Sequence, residues 1–265
     1  MNTTLFMREV RSSYKLWLIF IAILAMYISV IISMFDPKLG ETLDLFAKAM
    51  PDMMSLFGMG STGATLIEFL SNYLYGMLMI VFPMVFIIML ANRLIAAHVD
   101  RGSMTYLLAS PNTRRKVALT QMTVLLSMTF TLLLICVGIT IGVSAVMFPE
   151  ALASGDFLWL NVGLAGLLFA LCGYCFFISC VSNETGKAVM FGAGIPTFFY
   201  LVQMLANMGG KLVNLKYVTI FTLFSPKQIL AGEASAWWMC GALMLIGFVF
   251  FFVGIRRFEK RDLPL

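Results

Sequence analysis

The chain has 265 residues, of which 61% are hydrophobic and 12% charged, with a net charge of +5 and a mean hydropathy of +0.95. A soluble domain carries roughly 25% charged and about 45–50% apolar residues, so a soluble fold is excluded and an all-α, polytopic membrane protein is expected. The sequence contains no G-x-x-x-x-G-K-[ST] phosphate loop, which leaves no P-loop site for ATP in this chain.

Six apolar stretches without charge are each long enough to cross a bilayer, which takes about 20 residues. They predict one membrane domain over 1–265, with spans near 16–35, 70–92, 117–147, 157–181, 188–208 and 235–255. The first is too long for the apolar core of a cleavable signal, about 7–15 residues, and no small-residue cleavage site follows it. The loop at 36–68 mixes Asp36, Glu41, Asp44 and Asp52 with apolar residues, and reads as a solvated helix resting on the membrane. Span two carries Gly76 and Pro83, and span five carries Gly192, Gly194 and Pro196, where kinks would need support from neighbouring helices. Span three contains a G-x-x-x-G at Gly138 and Gly142, a pattern that allows close helix approach. Cys172 and Cys175 have C-x-x-C spacing inside span four, where small polarizable packing residues are the reading. Trp17, Trp237 and Trp238 lie near span ends and read as interface anchors.

Between spans two and three lies the most informative segment, 98–116. His98, Asp100 and Arg101 form a charged turn, Gly102 breaks the preceding helix, and Ser103 is placed to cap a short new one. Met104, Leu107 and Leu108 stand at i, i+3 and i+4, giving that helix one apolar face. Pro111 ends it, Asn112 or Thr113 caps the third span, and Arg114, Arg115 and Lys116 sit at the level of lipid phosphates. Two uses fit these features: an interfacial anchor, or a helix that a soluble partner grips.

With six spans both termini share one side, which holds thirteen of the Lys and Arg residues against five on the other. That asymmetry predicts cytoplasmic termini. The basic residues are spread over separate membrane margins, so nucleic-acid binding is not expected. No charge falls at mid-span, and that disfavours a proton- or ion-coupled carrier.

The 98–116 segment resembles the first cytoplasmic loop of type-2 (export-class) ABC transporter permeases. The matching residues are Asp100, Gly102, Ser103, Leu107, Leu108, Ala109, Ser110, Pro111, Thr113, Arg114 and Arg115. Phe258-Glu259-Lys260-Arg261-Asp262 resembles the ending common in that family, and Phe6-Met7-Arg8-Glu9-Val10-Arg11 resembles its opening interfacial helix. Phe224-Ser225-Pro226 resembles the short extracellular gate before the last span. The family often carries a further acidic residue near the position of His98, and this sequence has none there.

The resemblance implies a plasma-membrane permease subunit that is not itself an enzyme, paired with a second permease copy or a relative. Separate ABC-type ATPase subunits would hold ATP and Mg. They would grip Asp100, Arg101, Gly102, Ser103, Met104, Leu107, Leu108, Pro111, Arg114 and Arg115, with a second contact at Glu184 in the loop between spans four and five. The cargo stays open among peptides, drugs and lipids. Two alternatives stay open as well: a membrane-embedded enzyme acting on lipids, and a non-transporting immunity or sensor component.

Overall fold

The computed structural model describes residues 2–35, 50, 56, 65–102, 113–149, 151–208 and 210–260. Six helices among them are long and apolar enough to cross a membrane, and no strand occurs among the described residues. The chain is a multi-pass, all-α membrane protein.

Helix α1 (Thr3–Ser33) starts at Asn2, whose side chain accepts hydrogen bonds from the amides of Thr4 and Leu5. The expected interfacial segment is helical, but it continues without a break into the first span. The reason is local, since neither glycine nor proline occurs from Thr3 to Ser33. Two long-range bonds lay α1 along the third span: the Asn2 amide donates to Thr120 Oγ1 at 3.0 Å, and the Trp17 indole N–H donates to the Met128 carbonyl at 3.1 Å. Trp17 is therefore turned toward a neighbouring helix.

Helix α2 (Leu66–Asp100) is continuous over 35 residues but contains two π-helical turns, Leu74–Leu78 and Asn92–Ala96. The first holds Gly76 and precedes Pro83, which lacks the N–H that would bond the Met79 carbonyl. The expected irregularity of span two is thus a widened turn, supported by Tyr200, whose hydroxyl donates to the Gly76 carbonyl at 3.4 Å. α2 ends at Gly102, which has φ +68°, a left-handed conformation natural to glycine.

Helix α3 (Arg114–Met147) begins at Thr113, whose hydroxyl accepts from the Lys116 amide at 3.3 Å, so Thr113 is the cap. Its 34 residues span about 51 Å, well beyond a hydrocarbon core of about 30 Å. Helix α4 (Ser154–Val181) is the centre of the bundle, with 72% of its most apolar stretch buried. Helix α5 (Thr185–Asn207) leads into two 3-10 turns (Gly210–Val218 and Ile220–Leu223) and a short helix α6 (Pro226–Leu230). Helix α7 (Ala234–Lys260) closes the chain.

Close helix contact is made by α4 and α7. A Cβ at Gly173 would stand 2.6 Å from the Gly247 carbonyl oxygen, and one at Gly247 would meet the Phe169 ring at 2.4 Å. Only hydrogen fits in either place, so the two backbones touch. Around Gly138 and Gly142 nothing lies within 4 Å of a built Cβ. The expectation that this pair packs a neighbouring helix is not met within the chain. Cys172 and Cys175 are buried free thiols in contact with the Thr129 hydroxyl and the Gly192 carbonyl.

Candidate coupling face and membrane cavity

The N-terminal end of α1, the C-terminal end of α2, the N-terminal ends of α3 and α5 and the C-terminal end of α7 meet at one end of the bundle. Polar contacts join them in pairs. Asp100, at the end of α2, accepts a hydrogen bond from the hydroxyl of Thr185, the first residue of α5, at 2.7 Å. His98 Nε2 lies 3.4 Å from Glu9 Oε1, and Glu9 is only 2% exposed. Arg93 donates to both the carbonyl and the hydroxyl of Ser12, at 2.7 and 2.8 Å. Arg115 lies 3.6 Å from the Glu259 carboxylate, and Arg114 reaches the Glu259 carbonyl at 3.5 Å.

Of the residues assigned to partner contact from sequence, Asp100, Arg101 and Gly102 sit together where α2 leaves the bundle, and all three are exposed. Arg114 and Arg115 open α3 beside the end of α7. Glu184 precedes α5, where its carboxylate accepts from Lys187 at 2.9 Å, and the adjacent Thr185 brings this loop against Asp100. Ser103, Met104, Leu107, Leu108 and Pro111 lie outside the described residues, as do most of 36–64 and the tail after Lys260.

Thr185 belongs to the loop 182–187 read from sequence as a second contact, whereas no contact was assigned from sequence to Glu9 or Glu259. The acidic partner that the resemblance led one to expect near His98 is present, but it arrives from α1. Its sequence signal was a glutamate on an otherwise basic segment, Arg8-Glu9-Val10-Arg11, which Glu9 leaves by turning inward.

At the opposite end a cavity of about 540 Å³ lies between α2, α5 and the 210–230 segment. Tyr75 and Gly76 of the first π turn form one wall, and Tyr200 and Gln203 of α5 form another. Gln203 ties that wall to the segment beyond α5. Its Oε1 accepts from the hydroxyls of Thr219 and Thr222 at 3.1 and 2.6 Å, and its amide nitrogen donates to Asn207 at 3.0 Å. Phe224, Ser225 and Pro226, the gate-like residues, line the same cavity. A buried bond from the Tyr75 hydroxyl to Asn161 Oδ1, at 2.9 Å, fixes the π turn to α4.

The described residues form a six-span, all-α membrane bundle with networks of polar contacts at both of its ends. The family model described as ABC-2 family transporter protein matches residues 5–263, and the chain belongs to that family. No curated protein and no solved structure matches it.

Proposed function

We propose that this chain is the permease subunit of an ATP-driven exporter, and that separate ATPase subunits dock on the end of the bundle carrying both termini. The observation that supports this most is the Asp100–Thr185 hydrogen bond. It joins the loop that leads into the 103–112 segment to the loop that opens α5, so a push on either loop reaches both α2 and α5. The Glu9–His98 contact adds α1, and Arg114 and Arg115 add α3 and α7. Five of the six spans thus converge on one small surface, which suits rigid transmission from a gripping partner. On this reading that end faces the cytoplasm, ATP and Mg reside on the partner, and two permease copies surround the pathway.

The test is affinity purification of the tagged full chain from its own membranes in mild detergent. An ABC-type ATPase is expected to co-purify, and to be lost in a Leu107→Asp/Leu108→Asp variant that still inserts. A solitary chain with no ATPase sinks the proposal. Turnover of lipid by that solitary chain would favour a membrane-embedded enzyme.

A further inference from the structure

We propose that the cavity between α2, α5 and the 210–230 segment binds an amphiphile with an anionic headgroup. Combined with the exporter reading, on which this last step rests, such amphiphiles are the cargo class. Its volume of about 540 Å³ falls among those of small-molecule sites, about 300–1,000 Å³.

The charge of the lining is one-sided. Lys216 and Lys227 both line the cavity, and among the described residues no aspartate or glutamate does. Lys216 Nζ stands 5.0 Å from the centre of the Tyr217 ring, and among the described residues neither lysine has a carboxylate partner. Two cations at the edge of an apolar slab, with no carboxylate partner among the described residues, favour an anion.

The neutral polar groups narrow the choice. Gln203 is held in place through Thr219, Thr222 and Asn207, with its Oε1 accepting two bonds and its Nε2 donating one. Gln228 also lines the cavity, and its Oε1 is buried with no hydrogen-bond partner among the described residues. A buried acceptor without a donor is costly, and a hydroxyl on the ligand headgroup would supply one. The remaining lining includes Tyr75, Ile80, Tyr200, Met204 and Phe221, apolar surface against which an acyl chain packs. The cavity opens among the ends of α2 and α5 that lie away from the termini, where span ends meet the connecting 210–230 segment. An anionic headgroup bearing hydroxyls, joined to an apolar chain, satisfies all three parts of the lining.

The experiment uses the full chain in a neutral detergent and measures binding of tritiated dihexanoyl phosphatidylglycerol. Dihexanoyl phosphatidylcholine serves as the zwitterionic control and inorganic phosphate as a competitor. The glycerol lipid is expected to bind about tenfold more tightly than the choline lipid, as charge-assisted hydrogen bonds predict. That preference should vanish in Lys216→Gln/Lys227→Gln. It should survive in Lys216→Arg/Lys227→Arg, which separates charge from folding, and in Lys187→Gln at the other end of the bundle. Equal binding of the two lipids, or a preference that survives the glutamine pair, overturns the proposal. Displacement by inorganic phosphate as effective as by the lipid itself overturns its amphiphile part, and failure of phosphate to displace supports it. ATPase co-purification is scored on the same preparations. Loss of the ATPase with the preference intact removes the exporter reading and leaves the binding site standing. The converse result removes only the site.

Discussion

The hydroxyl of Thr185 donates to the carboxylate of Asp100 at 2.7 Å, across a separation of 85 residues. Asp100 is the last helical residue of α2 and Thr185 the first of α5. The bond ties together the two loops at the end of the bundle that carries both termini. Neither residue is needed to hold the membrane core, because both sit beyond it, and so their variants test coupling rather than folding.

Thr185→Val is accordingly expected to leave insertion and ATPase association intact. ATP turnover of the assembled complex should fall about fivefold or more, the low end of typical coupling energies. Thr185→Ser, which keeps the hydroxyl, should restore it. Wild-type turnover in Thr185→Val would show that the loops are not coupled through this bond.

The Glu9–His98 pair buries a carboxylate almost completely. Removing the imidazole leaves that carboxylate without this partner, so His98→Ala is expected to lower the melting temperature in detergent. Glu9→Gln should cost less, since the amide removes the charge while keeping the shape. A double-mutant cycle should return a coupling of about 0.5–3 kcal/mol, and strict additivity would mean that the contact contributes nothing to stability.

Gly173 and Gly247 are expected to tolerate no side chain. Gly173→Leu or Gly247→Val should destabilise the chain by at least about 1–3 kcal/mol, because backbone and the Phe169 ring occupy the space a side chain needs. Gly142→Val, which points into open space, should stay within about 0.5 kcal/mol of wild type. Thermal melting of the three variants in one detergent checks the contrast.

The proposed orientation is checked by labelling with a membrane-impermeant maleimide. Four of the five native cysteines are buried and Cys240 is partly so, which keeps the background low. Lys227→Cys, at the cavity end, should react in intact cells, and Lys187→Cys, at the end that carries both termini, only after the cells are opened. The reverse pattern would invert the topology.

Much of this architecture was legible in the sequence because membrane spans obey a local rule. Each stretch must be apolar over its own length, whatever it packs against. The same locality exposed the Thr113 cap and the break at Gly102, since both act on backbone within a turn of themselves. Helix contacts were less legible. Gly138 and Gly142 have the spacing for close approach, yet the chain uses Gly173 and Gly247, because a glycine matters only where a second backbone arrives. Cavity residues such as Gln203, Gln228 and Lys216 gave no warning, being scattered over three elements and ordinary in each.

The sequence by itself determined the class of protein and the number of spans, since those follow from composition and from patterns within a few turns. Only the tertiary structure decided which distant residues meet. Glu9 supplies the acid beside His98, Thr185 answers Asp100, and the π turn of α2 faces α5 to enclose a cavity. The physical reason is that hydrophobicity sets where a helix sits in the bilayer but not its rotation about its own axis. That rotation is chosen by backbone contact and a few buried polar bonds between helices, and those exist only once the bundle has assembled.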